Sequence, residues 1–365
     1  MDKIKVLHMF SSFTIGGAEK MTLLTAVSLH KLSGEIEPLV AAPAGSFLYA
    51  QAKENNVKVC DFKCRGSFTP SGVLRLVKII KKEKINILHV HQGKLFWTAL
   101  LMKLFFKNIK VVLHRRQDTR HKFYAKWHYG IADMTLTVSR AVRDNLIKYE
   151  KAPSGKVKVL YNGFDFDKFA KEIYCNDVIE KYGLQNKTVI GTIAAMVSLE
   201  GKGQIYLMEA VSKLRAEYPH LRCILVGDGA GKNEQEEYAK KLKADDIVFF
   251  AGYQSDVAKY LKVMNIFCLL SCGTEGFGNV NLEAQSLAIP VITTRVGGNP
   301  ETVIDKKTGF IIEPRNVEQL TEAVKKLLDD KNYAEQIGLN GQKFVKETFS
   351  IEKMVQNLTE VYKNI

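Results

Sequence analysis

Short β-branched runs alternate with longer amphipathic stretches along nearly the whole chain, and this rhythm excludes most architectures. In the first half the strand candidates are IKVLHMF, EPLVAA, VKVC, INILHV, KVVLH, MTLTV and VKVLY. Helical patterns such as AEKMTLLTAVSLHKL and SGVLRLVKIIKKEK lie between them. A strand–helix–strand alternation of this kind demands a parallel sheet covered by helices on both faces. The turn-rich YNGFDFDKF breaks the rhythm, and TVIGTIAA, RCILVG, IVFFAG, IFCLL and PVITT restart it. The expected fold is therefore α/β, with two doubly wound domains joined near residues 162 to 185. SIEKMVQNLTEVYKNI ends the chain as one amphipathic helix with no strand after it.

The length of 365 residues suits two such domains. No apolar window is long enough for a transmembrane helix. MDKIKVLHMF lacks the apolar core and cleavage site of a signal peptide, and reads as a first strand. The six cysteines are scattered without a matching histidine cluster, as expected of free thiols in a reducing cytoplasm. The charge is uneven. Up to Lys168 there are 29 Lys+Arg against 13 Asp+Glu, and after it 24 against 26, which together give the net +14. A basic first half suits an anionic partner, either nucleic acid or a membrane face; the plain alternative is a solvated lysine-rich surface.

Ligands of doubly wound domains bind beyond the carboxyl ends of strands, so the residues there carry most of the functional information. TIGGAEK follows the first strand: Gly16 and Gly17 permit a tight turn, and Ala18 is expected to open a helix whose amides suit a phosphate. The spacing is not a dinucleotide fingerprint. HVHQGK ends the fourth strand with His89 and His91 on one face; a metal site would need a third ligand, and none is evident nearby. VVLHRRQD ends the fifth, gathering His114, Arg115 and Arg116 where arginine forks can hold phosphate or carboxylate. Trp97, Phe105 and Phe106 near Lys94, Lys103 and Lys107 suit an anionic headgroup layer, or equally a core-facing helix with a lysine face. Asp165 and Asp167 read as turn and cap chemistry rather than a metal site.

In the second half Lys202 stands between two glycines after a strand, free to reach a phosphate. Gly227 and Gly229, in VGDGAG, leave room for a base or ribose. TEGFGNVNLE supplies Glu275 in a loop, the amides of Gly276, Phe277 and Gly278, the helix VNLEAQSLA that they open, and Glu283 near that helix's start. Alone, Glu283 is a favourable acid near a helix N-terminus.

The order of these parts is more specific than any one of them. GGAE, the histidine after the fifth strand, the NGFD turn, KG, GDG and Glu-x7-Glu followed by PVITTRVGGNPE together resemble the family 4 (group 1) glycosyltransferases, over essentially the whole chain. The resemblance implies the GT-B architecture, with two Rossmann-like domains facing a cleft: an acceptor-side domain at 1–168, a nucleotide-sugar domain at 169–348, and a helix at 349–365 crossing back to the first. It implies that Glu283 holds the donor ribose. Glu275, the Gly276–Gly278 amides and Asn279 grip the donor sugar, and Lys202 binds the pyrophosphate. Gly16 and Gly17 close over the phosphates, Gly227 and Gly229 line the donor site, and His114 lies near the anomeric centre. His114, Glu275 and Lys202 are the catalytic candidates, and His91, Arg115 and Arg116 the acceptor-side ones. One departure stands out: many members carry an arginine where this chain has Met196.

The activity so implied is retaining, metal-independent, hexosyl-type transfer from a nucleotide-diphosphate sugar to a saccharide or lipid-linked acceptor in envelope polysaccharide or lipopolysaccharide synthesis. No cofactor or metal is expected, and no nucleic acid. The expected location is cytoplasmic, with the basic half against the inner membrane face. A nucleotide-sugar epimerase of the same architecture is the alternative; it shares the nucleotide site but has no use for a basic first domain. A nucleic-acid-binding protein is a third reading, without a recognition motif to accompany the charge.

Overall fold

The computed structural model describes residues 3–13, 16–64, 69–117, 125–166, 169 and 172–365. Asp167 and the domain boundary placed after Lys168 lie outside them. The chain forms two compact units: Met1–Gly163 with Ile351–Ile365, and Phe164–Ser350.

The first unit carries a seven-stranded sheet in the order β3-β2-β1-β4-β5-β6-β7. Its strands are β1 (Ile4–Met9), β2 (Ile36–Ala42), β3 (Lys58–Asp61), β4 (Ile87–Val90), β5 (Lys110–Arg115), β6 (Met134–Thr137) and β7 (Val157–Val159). Every pairing is parallel. The short Val/Ile/Leu runs are buried on both faces, which is why they read as continuous apolar segments rather than alternating ones. On one face the helix Pro70–Glu83 and the helix Phe96–Phe105 bury Leu76, Ile80, Phe96 and Ala99 against Leu7, Leu88 and Leu113. On another, the terminal helix Ile351–Lys363 lays Met354, Val355, Leu358 and Val361 on Val6, Ile87, Val112 and Leu136. The apolar stripe of that helix at positions 354, 355, 358, 361 and 362 follows the 3.6-residue period, so its burial was legible.

The second unit carries a six-stranded parallel sheet in the order β10-β9-β8-β11-β12-β13. Its strands are β8 (Thr188–Ile193), β9 (Leu221–Val226), β10 (Val248–Gly252), β11 (Ile266–Leu269), β12 (Val291–Thr294) and β13 (Gly309–Ile312). Strand β13 was not expected. In both sheets the order reverses beside the first strand, between β1 and β4 and between β8 and β11. That reversal opens a crevice at the carboxyl ends of the two strands. Among the described residues no helix is long and apolar enough to cross a membrane, and all six cysteines are free.

Candidate functional site

In the second unit the two loops that flank the crevice touch. The loop after β8 ends at Gly203, which has φ of +84° and caps the helix Gln204–Leu214. A Cβ at Gly203 would come within 2.1 Å of the Leu270 carbonyl, so only glycine lets this loop lie on the end of β11. The preceding residue is thereby delivered to the crossover. Lys202 Nζ donates to the Thr274 carbonyl at 2.9 Å and to Glu275 Oε2 at 3.2 Å. Ser271 Oγ holds the same carboxylate oxygen at 2.9 Å. Gln204 Oε1 accepts from the Lys202 backbone at 2.8 Å, which fixes the lysine from behind. Ser271 and Gln204 carried no sequence signal; their parts come from the fold alone.

The helix Asn279–Ser286 starts at the same crossover, capped by Gly278 in the left-handed region. No side chain caps its first turn, so its leading amides are oriented for an anion. Glu283 lies one turn further on and is half-buried. A lysine, a carboxylate, a helix start without a side-chain cap and a second carboxylate thus share one strand end. This set offers positive charge for a phosphate and acceptors for hydroxyls.

One expectation in this unit needs correction. Gly227 and Gly229, with φ of +143° and +151°, do not serve to leave room for a base. Their Cβ positions are filled by the Ala194 carbonyl at 2.0 Å and the Met196 carbonyl at 2.4 Å, so close approach of two loop backbones requires them. The Phe277 ring is 3% exposed and packs edge-on against Phe349 at 5.4 Å; it is core, and only its backbone faces the loop. Met196 is fully buried in the apolar core of the unit, so its side chain does not take the part of the arginine it replaces. Arg295 is engaged with Glu313 at 2.8 Å.

In the first unit, the helix after β1 begins at Gly17 rather than Ala18. Gly16 caps it in extended conformation, and the Glu19 carboxylate reaches back to within 3.1 Å of where a Gly16 Cβ would stand. An acid therefore already lies at the helix start where a phosphate was expected. Arg115 is another correction. It is buried and paired with Glu150 at 3.2 Å, which also accepts from Tyr129 at 2.8 Å. Its guanidinium is thus engaged inside the unit rather than standing open at the strand end. Arg116 is pinned by Asn162 at 2.9 Å and by His91 Nδ1 at 3.3 Å, and burial pushes its guanidinium down to about 10.

His114 sits on β5, 3% exposed, within a cluster that the sequence did not reveal. His8 on β1 is in register with His89 on β4, and His91 follows two residues on. The four rings stack with centroids 4.2–5.4 Å apart. Burial, reinforced by Arg116, drives all four below the usual imidazole range, His8 to about 3. His8, His89 and His91 bring three nitrogens within 4.8 Å, so the third ligand found lacking in HVHQGK is supplied from β1. Yet among the described residues no carboxylate hydrogen-bonds to any of the four, and a guanidinium stands beside His91. A divalent ion there would add charge next to a buried cation with no anion to offset it. The donor set therefore suits neutral rings better than a metal.

A cavity of about 600 Å³ in the second unit lies away from these groups, at the opposite ends of the strands, lined by Lys187, Asn265, Pro290 and Lys331 among others. The motif residues do not reach it.

Comparison with known proteins fits the two crossovers. Residues 177–344 match the family described as glycosyl transferases group 1, and residues 15–168 match glycosyltransferase family 4. The chain belongs to the family 4 glycosyltransferases. Its relatives include a capsular polysaccharide biosynthesis glycosyltransferase of Staphylococcus aureus, 30% identical over 235 residues, which are 62% of this chain and 60% of that one. The chain thus spans less than two thirds of that relative. Another is the Escherichia coli UDP-Gal:alpha-D-GlcNAc-diphosphoundecaprenol alpha-1,3-galactosyltransferase, 26% identical over 80% of this chain and 78% of that one. Among solved structures, a glycosyltransferase from Rickettsia africae has a TM-score of 0.88 at 24% identity, covering 100% of this chain and 99% of that one. Anabaena HepE, solved in complex with UDP and glucose, has a TM-score of 0.84 at 20% identity, covering 99% and 100%. These likenesses make the family 4 chain a GT-B α/β protein.

Proposed function

We propose that this chain is a retaining glycosyltransferase that moves a hexosyl group from a nucleotide-diphosphate sugar to a saccharide or lipid-linked acceptor in envelope polysaccharide or lipopolysaccharide synthesis. The observation that carries this reading is the meeting of Lys202 with Glu275 at the β8–β11 crossover, beside the start of the helix Asn279–Ser286, which has no side-chain cap. Breaking a sugar–phosphate bond leaves negative charge on a nucleoside diphosphate. Lys202 and the helix amides supply a preorganised positive field for it. Glu275 pairs with the lysine; a diphosphate held by Lys202 takes over that part and leaves Glu275 to accept from sugar hydroxyls. Glu283, further along the helix, holds the ribose. The lipid-linked acceptor draws support from the undecaprenol-linked substrate in the name of the Escherichia coli relative. Titration with UDP-, GDP- and ADP-sugars tests the donor site; binding of none of them would overturn the reading.

We place the protein on the cytoplasmic face of the inner membrane, held there by its basic unit. Leu104 and Phe105 end the helix Phe96–Phe105 at 80% and 60% exposure, followed by the exposed Lys107. Trp127, on the helix Ala125–Ile131, is also exposed. Trp97 and Phe106 instead pack on the core, Lys103 pairs with Asp133, and Lys94 donates to the Ser11 carbonyl. The headgroup contact therefore rests on fewer residues than the sequence suggested. Flotation with vesicles containing anionic lipid should show binding in low salt that is lost in high salt. Equal recovery with neutral and anionic vesicles would remove this placement.

A further inference from the structure

The histidine cluster contains a directed chain that begins on the terminal helix. Tyr362 Oη bonds to His89 Nδ1, and His89 Nε2 lies 3.1 Å from His114 Nδ1. His114 Nε2 is buried and has no protein partner among the described residues. Tyr362, His89 and His114 belong to one unit, on the terminal helix, β4 and β5. All three side chains are at most 3% exposed, so water does not compete along the chain.

Two polarities satisfy the two bonds. In one, the tyrosine hydroxyl donates to His89, His89 Nε2–H donates to His114 Nδ1, and His114 is left with a hydrogen on Nε2. In the other every arrow reverses, and the buried tyrosine hydrogen is left with no acceptor, since among the described residues Tyr362 has no hydrogen-bond partner but His89. The first polarity leaves one buried group short of a partner, the His114 Nε2–H, whereas the second leaves two, the tyrosine hydrogen and a bare His114 Nε2, so the geometry favours the first.

We infer that Tyr362 is a positioning residue that, through His89, fixes His114 as the neutral tautomer with its hydrogen on Nε2. His114 then presents a fixed donor whose one missing partner is an oxygen acceptor, a hydroxyl or ring oxygen of a sugar. Because the imidazole stays neutral, it orients and polarises that oxygen and does not deliver a proton to it. The consequence for turnover rests on the glycosyltransferase reading; the tautomer does not.

The test uses the whole chain labelled with 15N-histidine. Long-range 1H–15N spectra, with His114 assigned from a His114→Asn variant, should show a bare Nδ1 and a protonated Nε2. Tyr362→Phe removes one oxygen. Provided thermal unfolding shows that it stays folded, its His114 signals should move toward a tautomer mixture. With a donor that the wild type turns over, kcat should fall on the order of tenfold with donor KM within about twofold. A bare Nε2 in the wild type overturns the inference whatever the activity. So does a Tyr362→Phe chain with unchanged spectrum and unchanged kcat. Stoichiometric metal in the purified chain also overturns it, because ligation would claim a His89 nitrogen already used in the chain. If the wild type turns over no donor, the function reading falls and the spectrum alone decides.

Discussion

Lys202→Ala should lower kcat by about 10²–10³-fold, the usual cost of removing one preorganised group from a site of developing charge. The lysine is a cation that the fold brings onto the β8–β11 crossover, and it arrives there because Gly203 lets its loop rest on Leu270. Its pair with Glu275 is partly exposed, so the pair contributes at most about 1 kcal/mol to stability. The variant should therefore unfold within a few degrees of the wild type. That separates a catalytic loss from a folding loss. Steady-state kinetics with a competent donor checks the first part and thermal unfolding the second. A variant that keeps more than about a third of wild-type kcat would show that the leaving phosphate is neutralised elsewhere.

Acid should unfold the first unit before the second. His8, His89, His91 and His114 are buried and neutral. In the unfolded chain a histidine takes up a proton below about pH 6.5, whereas folded His8 does so only near 3. Between those values the unfolded state binds more protons, so stability is intact above about pH 6.5 and is lost as pH falls. At pH 5 His8 alone costs the folded state about 2 kcal/mol, and the other three act in the same direction. Calorimetry from pH 8 to 5 should show one transition moving steeply down while another, belonging to Phe164–Ser350, moves little. Two transitions that shift in parallel, or none that shifts, would contradict it.

How much of this was legible depends on where the determining contacts lie along the chain. Twelve of the thirteen strands announce themselves as β-branched runs between turn signals. The exception, GFII at Gly309–Ile312, is four residues long and opens on a glycine, and it becomes a strand by pairing with β12. The terminal helix was visible because its apolar stripe is a local property. The donor-site residues were visible because they fall in strand-end loops. Their partners were not. Ser271 and Gln204 are ordinary residues until the fold sets one beside Glu275 and the other behind Lys202.

Misreadings came from the same source. Arg115 was read as an open cation because its acid, Glu150, is 35 residues away. Gly227 and Gly229 were read as space for a ligand because the Ala194 and Met196 carbonyls that fill the space belong to another loop. The histidine cluster shows the limit most clearly. His89 and His91 could be placed on one face of β4, but the sheet order brings in His8 and His114, and the terminal helix brings in Tyr362.

The central claim is that the β8–β11 crossover holds a nucleotide sugar, with Glu283 on its ribose. Calorimetric titration of the wild-type chain and of Glu283→Ala with UDP-, GDP- and ADP-sugars measures this directly. One donor class should bind the wild type, and the variant should bind the same donor at least about tenfold more weakly, the loss expected of a charge-assisted hydrogen bond. Equal affinity of the two chains, or no binding by the wild type, would contradict it.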